Sequence, residues 1–272
     1  MTHSPSAVEG REASIEYVSL ANNHILDYGV PGLRESINVL KANGISFSGA
    51  GDLLEAQAPA FVQKPGCRLA FFSFSDHYDY WAATDKEPGI NFIDPQEYDA
   101  SQLKILFSHA RSNADIIVVF VHWGPNWQWQ PSDEIVALGH AFIDNDADVV
   151  FGHSAHHVQG VEVYKGHPIM YGAGGFIDDY ATDDQYRNDL GFLYRVKIVD
   201  NLLDRLELLP SKRTHTWQRP GDDPPYISKV SRAKGKDKDW VCSKMKELSA
   251  AFGTKVEDLP NREGLVIALG SS

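Results

Sequence analysis

Long apolar runs, clustered cysteines and a basic excess are all missing from this 272-residue chain, and each absence removes a class of function. No stretch approaches the roughly 18 uninterrupted apolar residues of a membrane helix. The opening MTHSPSAVEGREAS has neither the basic start nor the apolar core of a secretion signal, so the sequence as it stands reads as cytoplasmic. Its two cysteines, Cys67 and Cys242, lie far apart in no metal or redox spacing and read as ordinary thiols. With 25 Lys and Arg against 37 Asp and Glu, and a net charge of −12, the chain lacks the cationic surface that displaces counterions from a phosphate backbone. Nucleic acid is therefore not an expected partner. The one basic run, KVSRAKGKDK from Lys229 to Lys238, reads as a solvated linker. Also absent are the GxSxG elbow of sheet-type serine hydrolases and the GxGxxG and GxxxxGKS/T phosphate cradles.

What is present suits a sizeable core: 43% of residues are hydrophobic and 11% aromatic. Apolar strand-like runs alternate with amphipathic helical runs through the first two thirds, the pattern of an α/β fold built from βαβ units. IEYVSLA, CRLAFFSFSD, DIIVVFVHWG and DVVFGH read as strands. PGLRESINVLKANG, the segment from Tyr98 to Asn113, and PSDEIVALGHAFIDND read as helices. Beyond them, alternating apolar residues flank Lys165-Gly166 and Asp200-Asn201, turn pairs that predict antiparallel hairpins. The expected organisation is a main domain over residues 1–220 and a C-terminal appendage over 221–272. That appendage opens on GDDPP and carries a helix from Asp239 to Phe252 and a final strand, LVIAL.

Three strands end on histidine: IEYVSLA runs into Asn22-Asn23-His24, DIIVVFV into His122-Trp123-Gly124, and DVVF into Gly152-His153-Ser154-Ala155-His156-His157. In open α/β sheets the carboxyl ends of strands share one crevice, so imidazoles at three exits predict a common site. Imidazole is the commonest neutral metal ligand, and an Asn carbonyl oxygen completes the shell of a harder divalent ion. His3, His77, His109, His140, His167 and His215 read as ordinary side chains. Asp76 is a strand-exit acid that suits either a substrate pocket or a cap. Trp123 suits either ligand stacking or an aromatic cover over a strand end.

ANNHILDYG, then SGAG, HWG and GHSAHHVQGVEVYKGHPIMY in order, from about Tyr17 to Asp179, resembles the CapA-type capsule biosynthesis proteins of poly-γ-glutamate synthesis, within the calcineurin-like metallophosphoesterases. The resemblance implies an α/β sandwich of mixed sheets flanked by helices. It implies divalent metal ions (manganese, iron or zinc) bound by Asn23, His122, His153 and His156, with His24 protonating the leaving oxygen and Asp27 orienting it. Read from the residues alone, Asp76 and Trp123 are the candidate contacts for a small-molecule or anionic polymer substrate. The family's upstream Gly-Asp and Asn-Leu-Glu carboxylate motifs are not found before Ser19, where 18 residues are too few for a βαβ unit of about 30. The expectation is a fold lacking its first strands, an incomplete dinuclear site, and a cell-envelope location if the natural chain extends further. Two functions stay open: a metal-dependent phosphoesterase-like hydrolase, and a non-catalytic capsule-assembly or polymer-binding protein with a degraded metal site.

Overall fold

The computed structural model describes residues 14–178, 180–217 and 226–270. His3 and the GDDPP stretch lie outside them. Two compact units divide the chain: Met1–Trp123 with Asp133–Val150, and Gly124–Ser132 with Phe151–Ser272. Their boundaries differ from the division at residue 220 expected from the sequence.

In the first unit, β1 (Tyr17–Ser19) leads through a turn to α1 (Gly29–Ala42), then to β2 (Ser46–Ser48), which pairs parallel with β1. Leu33 and Ile37 recur at helical spacing and bury one face of α1 against Leu20 and Ala50. Next come β3 (Ala50–Gly51), α2 (Leu53–Gln57), β4 (Ala60–Lys64) and β5 (Cys67–Ser75). Then follow β6 (Gly89–Ile90), α3 (Ala100–Arg111), β7 (Ile116–His122), α4 (Asp133–Asp144) and β8 (Val149–His153). The main sheet here runs β4-β5-β7-β8, with β5 antiparallel to β4 and parallel to β7. β7 is almost continuously apolar, as a strand with both neighbours and both faces covered must be. Phe72, Phe74, Phe107 and Phe142 make the aromatic core between sheet and helices. Asp148 anchors the start of β8 by accepting from Ile117 N–H (2.7 Å) and from Arg111 (2.6 Å).

β1 lies on the face of β5, and small groups make this approach possible. The Tyr17 ring stacks on Phe71 at 4.5 Å, Ser19 Oγ meets Ser73 Oγ at 2.6 Å, and Ala21 N–H donates to Ser73 Oγ. Gly49, at φ +93°, fills the remaining space; a Cβ there would stand 2.5 Å from Ser73 Oγ and 2.9 Å from Ala21 Cβ. The exit of β1 is thereby held to the end of β5.

In the second unit the last residues of β8 are followed by the hairpin β9 (Val161–Tyr164) and β10 (His167–Met170). A longer hairpin, β11 (Leu190–Val199) and β12 (Leu202–Trp217), comes next. Both turns carry positive φ at both central residues, Lys165-Gly166 and Asp200-Asn201, the geometry that matches the twist of flanking strands. One edge of β12 takes β11; the other takes β13 (Tyr226–Arg232) and β15 (Leu265–Ala268), with β14 (Glu257–Asp258) outside β15. KVSRAKGKDK is therefore not a linker. Its first half is β13 and its second half opens α5 (Gly235–Ala250). β13 is an exposed edge strand, where charged side chains face water as they would in a linker. α5 buries Val241, Met245 and Leu248, and nearby hydroxyls of Ser249 and Thr254 accept from the N–H groups of Val161 and Val163 on β9. Among the described residues no helix is long and apolar enough to cross a membrane.

Candidate functional site

The turn after β1 is built by its polar residues. Asn22 Oδ1 accepts from His24 N–H at 2.8 Å, a local Asx bond, and Asp27 N–H donates back to His24 O at 3.1 Å. This brings Asp27 Oδ2 to 2.8 Å from His24 Nδ1. Both side chains stand open to water, 65% and 47% exposed, so the far ring nitrogen of His24 is available to a ligand. Asn23 is half-buried beside them.

β5 and β7 deliver a second group. Ser75 is in register with His122, and Asp76 N–H donates to His122 O at 3.1 Å. A side-chain hydrogen bond joins Asp76 Oδ1 to His77 Nδ1, and the His77 ring meets His122 edge-on at 4.7 Å. His122 is buried, while Asp76 and His77 are mostly so. Trp123 is 3% exposed and packs on Phe142, a core contact rather than an open stacking face. His77, read from sequence as ordinary, thus stands with Asp76 and His122. The signal was present, since His77 also follows directly on a strand exit.

The second unit holds His153, His156 and His157 after β8. Ser154 and His156 adopt left-handed backbone, φ +118° and +64°, as does Trp127 at +62°. Such conformations cost non-glycine residues of order 1–3 kcal/mol and persist where surroundings over-determine them. Here Ser154 Oγ donates to Gly124 O, Gln159 Nε2 to Gln128 O and Tyr186 Oη to Trp127 O, tying the two loops together. His156 stacks on Trp127 at 5.6 Å and lies 4.4 Å from Tyr180. His157 is fully buried against Trp129 and Tyr186; Nδ1–H donates to Val158 O at 3.0 Å, and Nε2 has no hydrogen-bond partner among the described residues. Burial outweighs that bond and pushes the imidazole down to about 4.

Asn23, His122, His153 and His156 include no carboxylate, and among the described residues no group of three or more His, Cys, Asp or Glu side chains is placed to hold an ion. Asp76 is bonded to His77, and Asp178 pairs with Arg213.

The first unit is an α/β sheet with polar side chains at its strand exits, the edge at which open sheets of this kind commonly hold ligands. The chain belongs to the family described as bacterial capsule synthesis protein PGA_cap, whose model matches residues 3–180. That family is one of capsule and poly-γ-glutamate biosynthesis within the calcineurin-like superfamily, and the mixed α/β architecture, with several sheets flanked by helices, is of that class. A probable polyglutamine synthesis accessory protein of Mycobacterium tuberculosis is 33% identical over 258 residues, covering 89% of this chain and 64% of the relative. The capsule biosynthesis protein CapA of Bacillus anthracis is 33% identical over 202 residues, 74% of this chain and 48% of its own length. The PGA biosynthesis protein CapA of Bacillus subtilis is 32% identical over 172 residues, 62% and 44% respectively. The chain thus spans between 44% and 64% of the length of these relatives.

Proposed function

We propose that the chain acts in cell-envelope polymer metabolism as a hydrolase of a phosphoester or related bond, with His24 as its proton donor. The observation that supports this reading most is the His24–Asp27 hydrogen bond. A carboxylate on Nδ1 fixes the ring and its tautomer, and the exposed Nε2 is left to hand a proton to a leaving oxygen. The resemblance makes the reaction metal-dependent, through Asn23, His122, His153 and His156. No step is assigned to an ion.

A second reading stands beside it, a capsule-assembly or polymer-binding protein with a degraded site. Neutral ligands leave an ion's charge uncompensated, so purified protein is expected to hold manganese, iron or zinc weakly and at less than one ion per chain. Metal content by elemental analysis, measured alongside turnover of a generic phosphodiester and monoester, separates the readings. Turnover lost on His24→Ala with metal content unchanged supports the hydrolase. No turnover at any metal concentration leaves the binding reading.

A further inference from the structure

The basic run at the end of β13 and the start of α5 has no part in the proposed hydrolysis, yet the fold gathers it with the loop between β14 and β15. A cavity of about 200 Å³ in the second unit is lined by Arg232, Lys234, Lys238 and Arg262, with Glu263 as the carboxylate among them. It lies wholly beyond residue 180, where the match to the family model ends.

Backbone bonds bring three segments to this cavity. Ala233 N–H donates to Pro210 O on β12 at 3.0 Å, which fixes the end of β13, and Gly235 at φ +52° turns the chain into α5. The loop between β14 and β15 folds back through Leu259 N–H to Gly264 O (2.9 Å) and Arg262 N–H to Leu259 O (2.7 Å). Arg262 itself is left-handed at φ +55°, a conformation that a long side chain adopts only under constraint. Gly264 lets this loop lie against β12, where a Cβ would stand 2.4 Å from Leu208 O. Lys238 Nζ donates to Arg262 O at 3.2 Å and joins helix to loop. The four cations are thus brought together by the backbone.

Four cationic side chains against one carboxylate leave an excess of three positive charges at the cavity, in a chain whose net charge is −12. Glu263 is engaged by Arg232 at 2.8 Å. Lys238 has Asp239 at 3.9 Å, and among the described residues neither Lys234 nor Arg262 forms an ion pair. Like charges lining one small cavity repel, and an anion between them removes that cost. A monocarboxylate would offset one of the three. A phosphate monoester carries about −1.5 to −2 at pH 7, and its oxygens match the paired donors of a guanidinium, which Arg232 and Arg262 both present. The small volume and the three contributing segments suit a single compact group.

We propose that this cavity binds one phosphate group, free or esterified, through Arg232, Lys234, Lys238 and Arg262. Such binding is independent of the hydrolase reading. Calorimetric titration of the full chain with inorganic phosphate and with glycerol 3-phosphate, in buffer otherwise free of phosphate and sulfate, is expected to show saturable binding of at least one. Added sodium chloride should weaken it. The tighter of the two shows whether the ligand is free or esterified phosphate. Lys234→Ala and Arg262→Ala should each weaken binding roughly three- to tenfold and the double variant abolish it, while Arg262→Lys keeps part of the affinity. Both residues are exposed, so none of these changes threatens the fold. Lys104→Ala removes the same charge from α3 in the first unit and should change nothing. No saturation with either compound, saturation that the double variant leaves intact, an equal loss in Lys104→Ala, or acetate bound as tightly as phosphate would overturn the site. Phosphate bound by a chain without phosphoesterase turnover would leave the site standing and remove the hydrolase.

Discussion

His24 and His157 both follow short apolar strands, and their surroundings give them opposite chemistry. His24 stands in water with a carboxylate on one nitrogen, whereas His157 is enclosed by Trp129 and Tyr186 with its basic nitrogen sealed away. The first arrangement suits proton transfer. The second keeps the ring neutral and makes it a packing element, so a histidine at a strand exit is a working group only if its partners and exposure allow it.

The largest expected effect sharpens this contrast. His24→Ala should lower any hydrolytic turnover by about 10²-fold or more with the melting temperature nearly unchanged, because a general acid contributes about 10²–10⁴-fold. Asp27→Asn should cost less, since it disturbs only orientation. If His157→Phe lowered turnover as much as His24→Ala while the fold stayed intact, the assigned roles would be wrong.

A pH dependence reads the other side of the comparison. The ordinary value for histidine is near 6.5, and the folded chain holds His157 at about 4, so the unfolded chain binds its proton first as pH falls. This contribution to stability is fully present above about pH 6.5, declines as pH drops toward about 4, and totals roughly 3 kcal/mol at most. Urea melts across that range should slope less steeply for His157→Phe. Equal slopes would mean that the ring is not held neutral.

Gly49→Ala addresses how the open site is positioned. The added Cβ meets Ser73 and Ala21 in a left-handed backbone, and overpacking of this kind costs about 1–3 kcal/mol. Chemical-shift changes at Asn22 and His24 should accompany the lowered denaturation midpoint. The smallest effect is expected in the second unit, where Asn201→Ala, at φ +61° in the β11–β12 turn, should cost about 1 kcal/mol and leave turnover unchanged.

Much of the frame was legible because its signals are local. The spacing of Leu33, Ile37 and Leu40 marks α1, the unbroken apolar run marks β7, and Lys165-Gly166 and Asp200-Asn201 mark the two hairpins. Two- and three-residue strands such as β2, β3 and β6 are too short to show a period, and their pairing depends on residues far along the chain. β13 was hidden because a charged edge strand and a solvated linker have the same composition. His77 is hard to read for a different reason: its contact with His122 exists only once β5 and β7 lie side by side.

By itself the sequence determined the alternation of strands and helices, the turns that need positive φ, the acidic surface and the placing of histidines just past strand ends. Those properties follow from side-chain period, backbone sterics and charge, which act between near neighbours. Only the tertiary structure decided which imidazole is open and which is sealed. It also set His77 against His122 and Tyr80 into water, because exposure and partner choice arise from contacts between segments that the chain order keeps apart.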